Sequence, residues 1–502
     1  MSLLLPPLLV GVGWALLVLQ PADPASVPAP CAPPVSEPGS GISASLDPSP
    51  RPTEPASTNE SEGAEVTDAG MGPSSAHRQP WRLISRSTAA PGEQSDGQSG
   101  HLGLSLSRDG TVVAFASDAD DLIPGDLNGR SDVFLYDTTR DRLQRITRSP
   151  LNSAGPSLQP SLSADGDWLA FTSFSRGLQT ADPLTHDVPP VDSSPWSDIF
   201  LWSRLEGSMV RISATVSGSA PAGSSSQPSL SGDGRWVVYT SAADDIVDGD
   251  DNGRSDVLLY DRQTGRTRLI SASVGGASGT SGNGHSHQPI ISGDGHVVAF
   301  VSAADDLVSG DNNATADIFV HDLTTGVTVR IDLSVADRPF AGGPGRAPSL
   351  SLSWDGSALA FVARNASGTF AAPADPRATP ISRVYLTNLL SGQTTLASVD
   401  SLGAPLSESC SDVSLSHDGK LLAFSTGLAA PYLDVLLFDR CSGRTSALPV
   451  EAGEPRSGDQ WLPRLAGDGS RLALVSSRQL NLQAEHEAGD VLVVPLGPNS
   501  TP

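Results

Sequence analysis

The stretch that decides the fold is QPSLSGDGRWVVYTSAADDIVDGDDNGRSDVLLYDRQTGRTRLISAS, residues 227–273. Its short runs rich in β-branched and aromatic residues predict strands, at 228–231, 236–241, 256–260 and 267–271. The pair Asp233-Gly234 predicts a tight hairpin between the first two strands, because glycine adopts positive φ at no steric cost. A polar loop and a Thr-Gly turn connect the remaining strands, so the stretch describes four consecutive antiparallel strands.

The same unit occurs seven times along the chain. Its marker is an Asp-Gly pair between two strands, and the seven pairs begin at Asp109, Asp165, Asp233, Asp294, Asp355, Asp418 and Asp468. Four-stranded antiparallel units that repeat every 50 to 68 residues are typical of propeller blades. The repeat therefore predicts seven blades, at 100–148, 154–215, 222–274, 283–332, 344–399, 406–450 and 456–497.

The seventh copy has only three predicted strands, and the missing strand is found ahead of the first blade. The run WRLIS at 81–85 is similar to TRLIS at 267–271, the fourth strand of blade 3. We therefore expect the N-terminal strand to complete the last blade, which closes the ring and removes exposed strand edges. The predicted fold is all-β, a seven-bladed β-propeller of four-stranded antiparallel blades. The alternative is a six-bladed ring with an additional hairpin.

The third strands share a further motif: SDVFLYD at 131–137, SDVLLYD at 255–261 and ADIFVHD at 316–322. Together with the strand–Asp-Gly–strand unit, this motif resembles the TolB-type, WD-like propeller family over residues 81–497. The resemblance implies a β-propeller but no particular activity, because propellers host many unrelated functions. TolB carries an α/β domain ahead of its propeller, whereas this chain has a low-complexity segment there, so a role in the Tol envelope system is not implied.

The first eighty residues differ in composition from the repeats. Residues 3–19 are apolar and uncharged, which is short for a membrane-spanning helix and typical of a secretory signal. We expect 1–20 to be a signal peptide, with an uncleaved membrane anchor as the alternative, and the protein to be periplasmic, cell-surface or extracellular. Residues 21–80 are rich in Pro, Ser and Ala and predict a disordered spacer. Residues 498–502 form a short tail.

The charge restricts the class of partner. The 502 residues include 56 acidic and 31 basic side chains, for a formal net charge of −25. Nucleic acid and anionic membranes need a basic face, so we expect neither as a partner of the propeller, and a membrane contact only through the N-terminal segment. Cations, cationic partners and neutral ligands such as glycans remain open. Much of the acidic excess is aspartate in turns, where this residue is favoured.

The long loops between second and third strands contain a recurring pattern, Asp-x-Asn-x-x-x-Asp, in blades 1, 3 and 4. Its members are Asp126, Asn128, Asp132, Asp250, Asn252, Asp256, Asp311, Asn313 and Asp317. Oxygen-bearing side chains that alternate on a tight loop can bind a hard cation, so the pattern predicts Ca²⁺ sites. The alternative is that these side chains only cap backbone groups of a sharp turn. The complete EF-hand pattern is absent.

Three further residues are candidates for ligand contact. Trp196 lies in the long loop of blade 2, where an aromatic side chain could anchor a partner. His285 and His287 lie together in the predicted linker that enters blade 4. Paired histidines can ligate a metal, but no cysteine or acidic residue is near them in the sequence, so a solvated linker is the favoured interpretation. Trp168 and Trp236 follow Asp-Gly pairs and are expected in the core between blades.

Three cysteines in the whole chain are too few for a disulfide scaffold. Cys410 lies in the linker that enters the first strand of predicted blade 6, and Cys441 lies in the turn between its third and fourth strands. The two positions are at opposite ends of the strands, so we expect no disulfide between them.

The sequence contains no nucleophile elbow, zinc-protease helix motif, Walker loop or dinucleotide fingerprint. The leading hypothesis is therefore an exported, monomeric, non-enzymatic propeller that binds a protein, peptide or glycan on the long-loop face. The alternative is a propeller lyase or hydrolase that acts on polysaccharide or another extracellular polymer through paired carboxylates. A structural component of the cell envelope is a third hypothesis.

Overall fold

The computed structural model of the chain describes residues 81–87, 95–148, 155–178, 194–275, 279–313, 315–331, 337–339, 350–365, 381–429, 432–448, 459–477 and 489–496. All of them belong to the compact unit His77–Pro502. The predicted signal peptide, spacer and tail lie outside the described residues. The described secondary structure consists of strands, and within this part of the chain no helix has the length and hydropathy needed to cross a membrane.

Antiparallel four-stranded sheets form blades 1 to 4, and each strand pairs with the next one in the chain. Blade 1 comprises Ser99–Leu106, Val112–Ser117, Asp132–Asp137 and Arg142–Arg145. Blade 2 comprises Ser157–Leu162, Trp168–Ser173, Asp198–Ser203 and Met209–Arg211. Blade 3 comprises Ser225–Leu230, Trp236–Ser241, Asp256–Asp261 and Arg266–Leu269. Blade 4 comprises Ser286–Ile291, Val297–Ser302, Asp317–Asp322 and Val327–Arg330.

Blades 5 to 7 complete the ring. Blade 5 comprises Leu350–Leu352, Ala358–Asn365, Ser382–Asn388 and Gln393–Leu396. Blade 6 comprises Cys410–Leu415, Leu421–Ala429, Tyr432–Asp439 and Arg444–Ala447. Blade 7 comprises Gln460–Leu465, Arg471–Ser476, Asp490–Pro495 and the N-terminal strand Arg82–Leu83. The seven-bladed fold and its closure by the N-terminal strand are confirmed, and the six-bladed alternative is wrong.

Blade 5 contains a fifth strand that the repeat did not predict. The additional strand, Asp337–Pro339, pairs with the end of Ala358–Asn365 beyond the point where the first strand pairs with it. The second strand has eight residues here, against six in blades 1 to 4. The additional strand therefore pairs with the last residues of this longer strand, which extend beyond the residues paired with the first strand.

The first strands begin earlier than the sequence predicted. In blade 3 the strand starts at Ser225 rather than at 228, and its pairing shifts register between Ser226 and Ser229. Gln227, which lies inside this irregularity, has φ 59°. An extra residue in a left-handed conformation is a β-bulge. The bulge breaks the two-residue alternation on which strand prediction depends, so the pattern identified only the part of the strand after it.

The apolar core lies between the blades. Every residue of Val112–Ser117 is buried, as expected for a strand covered on both faces. Trp168 of blade 2 packs against Gly234 of blade 3, and Trp236 packs against Gly295 of blade 4. Both indoles thus contribute to the packing of one blade on the next, which confirms their prediction as core residues.

Buried hydroxyl–carboxylate pairs fasten the fourth strand of a blade to its third. In blade 3, Ser271 Oγ donates to Asp256 Oδ1 at 2.5 Å and accepts the N–H of Val257 at 3.0 Å. The equivalent pairs are Thr147–Asp132, Ser213–Asp198 and Ser85–Asp490. These bonds satisfy polar groups that would otherwise be costly to bury. They also explain why the unit carries Ser or Thr two residues after its last strand and Asp at the start of its third.

We expect Ser85→Ala to weaken the closure of the ring. Ser85 Oγ donates to Asp490 at 2.7 Å and accepts the N–H of Val491 at 3.0 Å, so the variant removes two buried hydrogen bonds of the N-terminal strand. The free energy of unfolding, measured by urea denaturation, should fall by about 2 kcal/mol. Ser217→Ala on an exposed turn is the control and should leave it unchanged. Equal unfolding free energies for the two variants would contradict this account of the closure.

Candidate functional site

The first strands of all seven blades surround a central cavity with a volume of about 270 Å³. Its polar side chains are those of His101, Ser105, Gln159, Ser161, Gln227, Ser229, Ser351, Ser414, His417 and Arg464. Proline, leucine, isoleucine and valine supply most of the remaining lining. None of the described residues that line this channel is acidic, although the chain has a net charge of −25. The channel therefore differs in charge from the protein as a whole.

Serine hydroxyls on the channel wall connect successive blades. Their Oγ atoms accept backbone N–H groups of the next first strand: Ser105 from Leu162 at 3.0 Å, Ser161 from Leu230 at 3.1 Å, Ser229 from Ile291 at 3.3 Å, Ser351 from Leu415 at 2.9 Å and Ser414 from Leu465 at 2.9 Å. Blades 4 and 7 carry Ile290 and Arg464 at this position. In blade 7 the arginine itself provides the bond to the next blade: Arg464 Nε donates to the carbonyl of Leu104 in blade 1 at 3.2 Å.

Glutamines at the bulges form a second set of links. Gln159, Gln227 and Gln288 have φ values of 56°, 59° and 55°, a left-handed conformation that is uncommon for residues other than glycine. The Oε1 atom of Gln159 accepts the N–H of Gln227, and that of Gln227 accepts the N–H of Gln288, both at 2.9 Å. These bonds between blades offset the backbone strain, which explains why glutamine occupies the position.

At the end of the channel next to the Asp-Gly turns, the backbone forms a closed ring. The ring residues directly precede the Asp-Gly pairs: Arg108, Ala164, Gly232, Gly293, Trp354, His417 and Gly467. Seven N–H···O=C bonds of 2.8–3.1 Å join each blade to the next, and in blades 4 and 7 the donor is the aspartate that follows the ring residue. Seven strands converge here, so four of the ring residues are glycine or alanine.

The three large ring residues cover this end of the channel. The indole of Trp354 lies over the ring glycines of blades 3 and 4, and the imidazole of His417 lies over Gly467, so that a Cβ atom on any of these glycines would overlap a ring. The two rings are 4.8 Å apart, and the guanidinium of Arg108 lies 5.1 Å from the indole centre, within cation–π distance. A ligand would therefore enter the channel from the opposite, long-loop end.

The charged side chain among the described lining residues is that of Arg464, and the carboxylate of Asp412 acts on it electrostatically. The Nη1 atom of Arg464 donates to the carbonyl of Pro463 at 2.9 Å, and Nη2 has no hydrogen-bond partner among the described residues. Burial lowers the pKa of Arg464, but a guanidinium stays protonated in proteins. His101 Nε2 lies 3.4 Å from Asp118, and burial outweighs this carboxylate and lowers the pKa of the imidazole. The channel suits ligands that offer oxygen acceptors.

The predicted ligand contacts do not line this channel. Trp196 is 47% exposed on the long loop of blade 2, a position that leaves it accessible to a partner. His285 is exposed, and its Nδ1 accepts the N–H of Ser255 at 3.0 Å. His287 lies in the strand Ser286–Ile291 rather than in a linker, because the first strands start before the bulge, and burial lowers its pKa. The assignment of His287 to a solvated linker was therefore wrong.

In the acidic loops of blades 1 and 4, an arginine bridges the two aspartates of the pattern. The Nη1 atom of Arg145 lies 2.8 Å from Asp126, and its Nη2 lies 2.9 Å from Asp132. Arg330 approaches the two carboxylates of blade 4 to 2.6 and 3.6 Å. Each guanidinium group thus occupies the position between two carboxylates at which the sequence pattern predicts a metal ion.

The asparagines of the pattern form turns. Asn128, Asn252 and Asn313 each donate Nδ2 to the last aspartate at 2.6–2.8 Å and accept the N–H two residues further on at 2.5–2.9 Å. This is the Asx turn of the alternative interpretation, and it directs an amide nitrogen, not an oxygen, at the carboxylate. Within the described part of the chain, no group of three or more His, Cys, Asp or Glu side chains is placed to hold a metal ion. Calcium in these loops stays a prediction.

Cys410 is a free, buried thiol at the start of the first strand of blade 6. Cys441, in the turn after the third strand Tyr432–Asp439, is in a disulfide that does not include Cys410, because Cys410 is free. The predicted absence of a bond between these two cysteines is therefore confirmed. Burial raises the pKa of the Cys410 thiol to about 11, which disfavours the reactive thiolate.

Sequence reasoning missed the residues of the channel. Trp354, His417 and Arg108 fall at the variable position of the Ser-x-Asp-Gly frame, where the other copies carry glycine or alanine. Comparison of this one position across the seven copies would have identified them. The Gln-Pro pair, repeated in blades 2, 3 and 4, was the corresponding signal for the bulge.

The cover of the channel should make stability depend on pH. Burial, followed by the neighbouring Arg108, lowers the pKa of His417 from 6.5 to about 4. Between these values the unfolded chain binds the proton and the folded chain does not, so stability is lost as the pH falls from 6.5 toward 4. We expect His417→Gln to remove about 1–2 kcal/mol of the stability difference between pH 7 and pH 4.5, after allowance for partial solvent screening. Urea denaturation at both pH values measures this, and identical pH dependences of the variant and the parent would refute it.

No family model matches the chain, and no curated protein matches its sequence. Among solved structures, TolB from Acinetobacter baumannii is similar at 17% identity, covering 69% of this chain and 65% of that one, with a TM-score of 0.37. An oligogalacturonate lyase in complex with manganese is 14% identical over 81% and 92% of the two chains, with a TM-score of 0.49. The β-propeller domain of the Trilobed protease from Pyrococcus furiosus is 8% identical over 80% and 94%, with a TM-score of 0.46. A putative TolB from Agrobacterium tumefaciens is also similar, at 16% identity over 61% and 81% of the two chains, with a TM-score of 0.35.

Proposed function

We propose that this chain is an exported, monomeric, non-enzymatic binding propeller whose central channel holds part of a protein, peptide or glycan ligand. The observation that supports the proposal is the channel itself: a cavity of about 270 Å³ lined by polar side chains from several blades. Ligand sites of proteins are typically concave, mostly apolar and provided with a few fixed polar groups. At this volume the channel accommodates a short protruding segment, and the remainder of a larger ligand would lie on the long-loop face.

The chemistry of the lining indicates what the segment offers. The Nη2 atom of Arg464 has no hydrogen-bond partner among the described residues. Serine side chains of other blades line the same cavity. A guanidinium binds carboxylate oxygens through paired hydrogen bonds. Hydroxyls donate to carbonyl or sugar oxygens. We therefore infer a ligand segment with carboxylate, carbonyl or hydroxyl oxygens.

Export rests on the N-terminal composition. The apolar residues 3–19 and the Pro/Ser/Ala-rich residues 21–80 are together what a secreted or tethered propeller needs, a targeting signal and a spacer that holds the folded domain away from a surface. We propose the periplasm, the cell surface or the medium as the location of the propeller.

We expect ligand binding to depend on the channel more than on the long loop of blade 2. Purified protein is applied to arrays of unstructured peptides and of glycans, and the affinity for the best probe is measured by calorimetry. Leu102→Trp fills the channel from a lining position and should weaken binding at least tenfold. Arg464→Gln should weaken binding of a carboxylate-bearing probe by a similar factor. Trp196→Ala, on the exposed loop, is the comparison and should change affinity less than threefold.

Two outcomes would contradict the proposal. Loss of binding in Trp196→Ala with normal affinity in Leu102→Trp would place the ligand on the loop alone. Turnover of a polymer on the glycan array, detected as new reducing ends or unsaturated products, would favour the lyase or hydrolase alternative. Circular dichroism and thermal midpoints of the variants serve as controls for folding.

A further inference from the structure

One blade departs from the arginine–aspartate arrangement of its neighbours. Arg145 of blade 1 and Arg330 of blade 4 occupy the same register position in the fourth strand, opposite the residue two places after the last aspartate of the pattern. In blade 3 this position is Leu269, opposite Leu258. The side chain that neutralises the acidic loop in blades 1 and 4 is thus replaced by an apolar one.

The aspartates of blade 3 are nevertheless retained and buried. Asp250 and Asp256 are 5% and 0% exposed. Asp256 accepts hydrogen bonds from Ser271 at 2.5 Å and from Asn252 at 2.8 Å. Neither carboxylate oxygen of Asp250 has a well-formed hydrogen bond. This side chain therefore lies buried without the positive charge that its counterparts in blades 1 and 4 receive.

A third oxygen faces the same place. Ser281 Oγ is buried and has no well-formed hydrogen bond, and it lies near enough to Asp250 to favour the ionised carboxylate. Burial, and after it the repulsion of Asp244, raises the pKa of Asp250. Burial also raises the pKa of Asp256, with Asp250 as a further cause. Buried carboxylates destabilise the folded chain strongly unless a counter-charge compensates them.

We propose that the acidic loop of blade 3 binds one Ca²⁺ ion through the carboxylates of Asp250 and Asp256, with Ser281 Oγ as a neutral ligand. The ion takes the place of the guanidinium groups of the neighbouring blades, and its two charges balance the two carboxylates. Carboxylate and hydroxyl oxygens are the ligands that hard cations prefer. Ca²⁺ takes six to eight oxygens, so water and loop carbonyls complete the shell. Asn252 is a turn residue and not a ligand, because its amide nitrogen faces Asp256.

The arginines make the proposal specific to one blade. The loops of blades 1 and 4 share the acidic pattern but already contain a guanidinium between their carboxylates. A cation there would compete with a covalently attached charge. We therefore infer one ion for each chain, although the sequence pattern occurs in three loops.

Equilibrium dialysis with radioactive Ca²⁺ tests the proposal. The full chain is treated with EDTA, transferred to buffer with 0.15 M NaCl and dialysed against Ca²⁺ up to about 1 mM, the range of extracellular calcium modules. We expect one ion per chain and a thermal midpoint that rises with Ca²⁺ concentration. Asp250→Asn should abolish both effects, whereas Asp126→Asn in blade 1 should leave one ion bound. No binding by the parent protein would overturn the proposal in favour of a proton shared by the two carboxyl groups.

A second test substitutes the fourth-strand residue that is arginine in blades 1 and 4 and leucine in blade 3. Leu269→Arg should supply the guanidinium in cis, so that no Ca²⁺ binds and the variant in EDTA melts at or above the temperature of the parent in EDTA. The reciprocal variant, Arg145→Leu, should bind two ions. A Leu269→Arg variant that folds and still binds one ion, or an Asp250→Asn variant with unchanged stoichiometry, would show that the ion lies elsewhere.

Discussion

Seven strands must converge around one axis, and the rest of the structure depends on how their backbone groups are satisfied there. Each first strand ends in an Asp-Gly turn, and the residue before the turn pairs with the next blade, so that the ring closes through seven bonds of 2.8–3.1 Å. Buried N–H and C=O groups need such partners. The crowding restricts most ring positions to glycine or alanine, and the space above these small residues receives Trp354 and His417. The cover of the channel is thus a consequence of the closure.

The same constraint explains the use of polar residues. A propeller has little room for charged groups between its blades, yet the unit repeats an aspartate at the start of the third strand. A hydroxyl just after the fourth strand satisfies this carboxylate, as Ser271 satisfies Asp256, and an arginine neutralises the loop in blades 1 and 4. Where the arginine is absent, as at Leu269, the buried charge needs another partner. Positions at which otherwise similar blades differ are therefore the best candidates for functional residues.

Prediction from the sequence succeeded where the signal was local. Asp233-Gly234 and its six counterparts identified the hairpins, because a tight turn depends on the φ of its own glycine. The match of 81–85 to 267–271 identified the closing strand, which pairs with Asp490–Pro495. Prediction failed at the bulges, since Gln227 adopts a left-handed φ for a bond to another blade. The ligand contacts predicted at Trp196, His285 and His287 stay predictions, and the cavity is lined mainly by residues of the first strands, which no local pattern marked.

The sequence by itself determined the number of blades, the order of their strands and the way the ring closes. Turn chemistry and apolar runs act over a few residues, and their sevenfold repetition leaves few other arrangements. Only the tertiary structure decided which side chains face the channel, that Trp354 lies over glycines of two other blades, and that Arg145 reaches Asp126 while Leu269 leaves Asp250 without a cation. These contacts join residues that are distant in the chain, or depend on the register of paired strands, and no local pattern specifies the curvature that brings them together.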